Sequence, residues 1–95
     1  MSNYRVHYSG ACFENGKSRE QVEKRVHDRV ASLGEVFDIE AHPIHPAGNN
    51  HKEENYVVSF EGEIMVQAES KEKAENEAYG RLASLGQVTV MAFKE

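Results

Sequence analysis

Ninety-five residues, with 39% hydrophobic and 28% charged side chains, suit one globular domain over 1–95 and exclude a wholly disordered chain. No apolar run approaches the ~20 residues that span a bilayer, and the opening Met1–His7 has no apolar leader core, so a soluble, cytoplasmic protein without a membrane partner is expected. The single cysteine, Cys12, excludes an intrachain disulfide, and a net charge of −5 disfavours direct contact with nucleic acid.

Residues 3–13 alternate, with Tyr4, Val6, Tyr8 and Cys12 on one parity, which predicts a strand with one buried face. Gly10 is placed for a bend, and Asn15-Gly16 for the closing turn. Ser18 reads as a helix N-cap, with Gln21 three residues on as its capping-box partner. Val22, Val26, Val30 and Leu33 then form one apolar stripe of a helix over 19–33. Gly34 is expected to end that helix in the left-handed conformation. A second strand over 36–41 is expected to set Phe37 and Ile39 on one face and Val36 on the other. Pro43 and Pro46 stop it, and residues 44–54 read as a polar connector around Ala47-Gly48-Asn49-Asn50.

From Asn55 the pattern starts again. Tyr56, Val58, Phe60, Ile64, Val66 and Ala68 are all even-numbered, which predicts one long strand bent at Gly62 rather than a hairpin there. Ser70 caps a second helix whose stripe is Ala74, Ala78, Leu82 and Leu85, and Gly86 closes it. Val88, Val90 and Ala92 alternate with Thr89, Met91 and Phe93 in a last strand.

The chain is an internal repeat. Ala31-Ser32-Leu33-Gly34 returns as Ala83-Ser84-Leu85-Gly86 at an offset of 52 (83 − 31), and at that offset 13 of the 41 pairs from 3/55 to 43/95 are identical. The first copy is 3–43 and the second 55–95. Strand-helix-strand, twice, with right-handed crossovers, predicts an α+β domain with a four-stranded antiparallel sheet and both helices on one face. The pattern resembles the ferredoxin-like split βαβ superfold (βαββαβ) over essentially the whole chain, and the resemblance implies a fold rather than a function. The segment from Tyr56 to Ala78 also looks like the strand-then-acidic-helix pattern of small phage and plasmid accessory proteins.

Such a fold leaves one sheet face open, carrying Arg5, His7, Ser9, Ala11, Phe13, Val57, Ser59, Glu61, Glu63, Met65 and Gln67. A pseudo-twofold axis near Tyr8 and Phe60 is expected to set Arg5 opposite Glu63 and His7 opposite Glu61. An RNA-recognition domain needs aromatics on the central strands of that face, where this chain has His7, Ser9, Ser59 and Glu61. Cys12 and His7 differ in parity and cannot meet as nucleophile and base. His42, His45 and His51 bracket the connector and, with His7, define the alternative reading of a metal-binding, sensor or small enzyme domain, although no second ligand cluster completes a tetrahedral site. Phosphate-loop and nucleophile-elbow patterns are absent.

The second copy holds the excess acid: residues 55–95 carry 4 basic and 7 acidic side chains, against 6 and 7 in residues 3–43. The leading expectation is therefore a small acidic non-enzymatic protein-binding module that uses no cofactor and no metal. Its partner is expected to have a basic surface. The specific version is an inhibitor that blocks a nucleic-acid-handling protein, by analogy of size and charge with phage or mobile-element anti-defence proteins such as anti-CRISPR proteins. The residues assigned to partner binding are Glu61, Glu63, Glu69, Glu72, Glu75 and Glu77. A homodimer through the open sheet face is the remaining candidate.

Overall fold

The computed structural model describes residues 1–44 and 54–95. The connector turn and His45 and His51 lie outside the described residues. The chain is α+β: β1 (Ser2–Gly16), α1 (Arg19–Ala31), β2 (Glu35–Pro43), β3 (Glu54–Ala68), α2 (Lys71–Leu82), a 3-10 turn (Ala83–Leu85) and β4 (Gln87–Lys94). The four strands form one antiparallel sheet in the order β2-β3-β1-β4. No described helix is long and apolar enough to cross a membrane.

Alternation decides which sheet face is covered. Tyr4, Val6, Tyr8 and Cys12 of β1 and the even-numbered residues of β3 are buried in one cluster with Val22, Val26 and Val30 of α1 and Ala74, Ala78 and Leu82 of α2. Both helices therefore lie on one face. β3 is a single long strand, as its parity predicts. Ser18 and Ser70 each accept the N–H three residues on, from Gln21 and Lys73. Gln21 reaches back to the N–H of Lys17, one position before the cap.

Five expectations are corrected. β1 runs through Asn15 and Gly16, which pair with Asn55 and Glu54 instead of turning. Helix α1 stops at Ala31. Gly34 has no positive φ, since Gly86 (φ 154°) alone among the described glycines does. What the two repeat glycines share is close approach: a Cβ on Gly34 would strike Ile64 and the Glu63 carbonyl, and one on Gly86 would strike Cys12 and the Ala11 carbonyl. Residues 11 and 12 are the repeat equivalents of 63 and 64, so each glycine lets the chain leave its helix tightly across the same place on a central strand.

The other two corrections concern the sheet. β2 carries a bulge between Val36 and Asp38, which pair with Gly62 and Glu61. The extra residue, Phe37, is turned to the open face beside His7, with ring centroids 6.3 Å apart, while Val36, Ile39 and Ala41 pack on the helix side. β4 has no such insertion, so beyond the bulge Ala41 matches Ala92 rather than Phe93. The central register differs too: Arg5 faces Met65, His7 faces Glu63 and Ser9 faces Glu61. The pseudo-twofold thus passes between Ser9 and Glu61. That register sets Tyr8 opposite Gly62 and Phe60 opposite Gly10, so each ring covers a glycine that has no room for a Cβ.

Candidate functional site: the open sheet face

Apart from the bulge in β2, every second residue of the four strands points away from the helices. Across the centre, Asp38 of β2, Glu61 of β3, Ser9 of β1 and Thr89 of β4 form one row. Toward one end follow Glu63, His7 and Met91, then Met65, Arg5 and Phe93. Toward the other lie Glu40, Ser59, Ala11 and Gln87, then His42, Val57 and Phe13. Of the eight large apolar side chains exposed among the described residues, five belong to this face: Phe13, Phe37, Met65, Met91 and Phe93, each at least half exposed.

Charge on the face is mostly negative. Arg5 is already engaged, at 2.9 Å from Glu95 and 3.6 Å from Glu63. The expected Arg5–Glu63 and His7–Glu61 contacts therefore form, but diagonally across the strands, the second at 4.0 Å. His42 pairs with Glu40 at 2.6 Å. Asp38 and Glu61 are opposite one another, and neither is ion-paired with a lysine or arginine of the described residues. At the repeat-equivalent place Ser9 and Thr89 face each other, and their hydroxyls are 3.2 Å apart.

The six assigned glutamates do not form one patch. Glu61 and Glu63 lie on the open face, whereas Glu69, Glu72, Glu75 and Glu77 belong to α2 and its N-terminal approach, on the far side of the sheet. Glu69 and Glu77 pair with Lys73 and Arg81, each one helical turn on. Exposed pairs of this kind contribute a few tenths of a kcal/mol. Glu75 accepts the N–H of Ala92 at 2.9 Å. Its repeat equivalent Glu23 does the same for Ala41 at 2.9 Å.

Within the described residues no three His, Cys, Asp or Glu side chains converge as a metal site. Cys12 is buried beneath the helices, and burial, with the nearby Glu14 carboxylate, pushes its thiol pKa up despite Arg29. A thiol held in its protonated form is a poor nucleophile. His7 is on the opposite sheet face from it, as parity requires.

Sequence reasoning assigned no edge-strand residue to the open face and so missed Phe37, Asp38, Glu40 and His42 of β2 and Thr89, Met91 and Phe93 of β4; for Asp38, Glu40 and His42 the bulge also inverts the parity of β2. One signal was available: a one-residue gap in the repeat alignment would have matched Ala41 to Ala92. No protein-family model matches the chain, and neither a curated protein nor a solved structure was found to match it.

Proposed function

We propose that the chain is a non-enzymatic protein-binding module acting through its open sheet face, on a ferredoxin-like split βαβ scaffold that arose by duplication of one βαβ unit. The strand order β2-β3-β1-β4 and the equivalent caps, glycines and carboxylate contacts of the two halves support the scaffold. The observation that carries the function is the concentration of half-exposed Phe37, Met65, Met91 and Phe93 among carboxylates on a face that no described element covers. Apolar anchors ringed by charge are the make-up of a protein interface. The negative sign repels nucleic acid and suits a basic partner surface. The narrower reading, an inhibitor of the anti-CRISPR kind that occupies the basic groove of a nucleic-acid-handling protein, rests on chain size and charge alone.

Capture from host extract tests the face. A Met91→Ser/Phe93→Ser variant with an unchanged circular dichroism spectrum is expected to lose the protein that the wild type retains. Charge reversal at Glu61 and Glu63 is expected to do the same, and charge reversal at Glu69 and Glu72 is expected to leave capture intact. Retention by both face variants would refute this function. Competition between the captured protein's nucleic acid and the module would decide the inhibitor reading.

A further inference from the structure

We propose that the open face receives a short basic segment of the partner protein, one arginine or lysine of which seats between Asp38 and Glu61 while neighbouring apolar side chains rest on Met65, Met91 and Phe93. This rests on the reading of that face as protein-binding and adds what the face recognises. Directly opposed like charges on neighbouring strands work against folding. The chain nevertheless sets Asp38 against Glu61 and supplies neither with a lysine or arginine from the described residues; His7, 4.0 Å from Glu61, is the basic group beside the pair. The repeat gives the contrast: the equivalent Ser9 and Thr89 satisfy each other within the chain. A cation from outside would do for the carboxylate pair what the hydroxyls do for themselves, and a guanidinium does so with directed hydrogen bonds.

The surroundings fit a side chain arriving from above. Ser9, Gly10, Ala11 and Ser59 form a low floor beside the two carboxylates. Met91 lies one row away and Met65 and Phe93 two rows away, roughly 7 and 14 Å along the strands. A segment of a few extended residues covers that span. Arg5 at that end is held by Glu95 and Glu63, so it does not repel the arriving charge unopposed.

Other occupants fit less well. In a second copy stacked face to face, the carboxylates, being close to the centre of the face, would meet their own counterparts. All four strands lie side by side only along His7–Ala11 of β1, an area of about 19 by 17 Å, or roughly 320 Å². A permanent dimer covers well over that area per partner. Anionic lipid and nucleic acid are repelled by the same carboxylates.

The test uses the whole chain and a labelled synthetic peptide of alternating arginine and leucine, read by fluorescence anisotropy at physiological salt. Asp38→Asn/Glu61→Gln is expected to weaken binding about tenfold, the loss of one charge-assisted contact. Met91→Ser/Phe93→Ser is expected to weaken it as well. Glu69→Gln/Glu72→Gln, the same change of charge on α2, is expected to change it less than twofold. Asp38→Asn/Glu61→Gln is also expected to melt no lower than the wild type, since it removes a repulsion; a lower melting temperature marks the pair as structural and overturns the proposal. Equal weakening by the sheet and helix charge variants reduces the effect to net charge and overturns it too. Sensitivity to Met91→Ser/Phe93→Ser alone removes the cation seat but leaves the protein-binding face standing. Indifference to all three variants, with host capture also unaffected, removes both. A wild-type dimer in sedimentation that these face variants dissociate assigns the face to a second copy instead.

Discussion

Tyr8 and Phe60 hold equivalent places in the two repeats and differ by one hydroxyl. Each ring lies over a glycine of the other central strand, and the two rings are 6.2 Å apart. The Tyr8 hydroxyl donates to the Glu35 carbonyl at 2.8 Å, which Phe60 cannot do for the equivalent Gln87 carbonyl. Tyr8→Phe therefore makes the first half resemble the second, and its neutral-pH cost is about 1 kcal/mol, that of one hydrogen bond with a part-buried acceptor. Burial raises the Tyr8 pKa from 10.0 to about 12. The unfolded chain releases this proton from about pH 10 and the folded chain holds it to about pH 12, so stability falls as pH rises through that window. The loss across that window, on the order of 2–3 kcal/mol, exceeds what the hydrogen bond contributes at neutral pH. Tyr8→Phe lacks that loss. Denaturant unfolding at a series of pH values is expected to show the wild type more stable at pH 8, the two equal near pH 11, and the variant more stable at pH 12. Parallel curves across that range would show that the hydroxyl stays accessible to solvent.

At the scale of elements, each helix guards one edge of the sheet. Glu23 of α1 accepts the outward N–H of Ala41 on β2, and Glu75 of α2 accepts that of Ala92 on β4. Open edge amides are templates for pairing with other chains, so these glutamates both anchor the helices and close the edges. Glu75→Ala is expected to cost about 1 kcal/mol, to lower the melting temperature by roughly 4–8 °C, and to speed amide exchange at Ala92, whereas Glu75→Gln keeps an acceptor and loses less. Unchanged exchange at Ala92 in Glu75→Ala would remove the clamp. Glu75 also marks the limit of reading charge from sequence, since an acid on a helix face looks the same whether it meets solvent, a partner or an edge amide. Caps and parity are local and were legible: Ser18, Ser70, both helices and the long β3 follow from spacing alone. The bulge at Phe37 was not, because an ungapped repeat conceals a one-residue insertion. The row Asp38–Glu61 at the centre of the candidate site depends on that insertion.

At the scale of the molecule, two 15-residue strands set the shape: the Cα radius of gyration is 15.2 Å and the longest extent 54 Å, where a compact chain of this length has a radius near 12 Å. The long central pair carries the symmetry, and its register was decided by packing that spacing does not encode. Centres at Tyr8/Phe60 and at Ser9/Glu61 preserve parity equally, and the second wins because it lays a ring on each glycine. The same symmetry makes the order of the repeats dispensable. Ile44 donates its N–H to the Asn55 carbonyl at 2.9 Å, and Glu95 donates to the equivalent Asn3 carbonyl at 3.0 Å. The C-terminus therefore stands beside the N-terminus in the same relation as the end of the first repeat to the start of the second. A permutant beginning at Asn55, running to Glu95, joined to Met1 by a short Gly-Ser linker and ending at Ile44 needs only a hairpin-length link, and the entropy of closing such a link changes slowly with its length. It is expected to fold with the same strand order, to unfold in one cooperative step, and to lie within about 1–2 kcal/mol of the parent, the scale of one altered loop closure and two new ends. Cross-strand amide contacts between Ser9 and Glu61 in its NMR spectrum would fix the register. An unfolded permutant, or one paired about Tyr8 and Phe60, would show that the connector rather than the symmetry sets the alignment of the two halves.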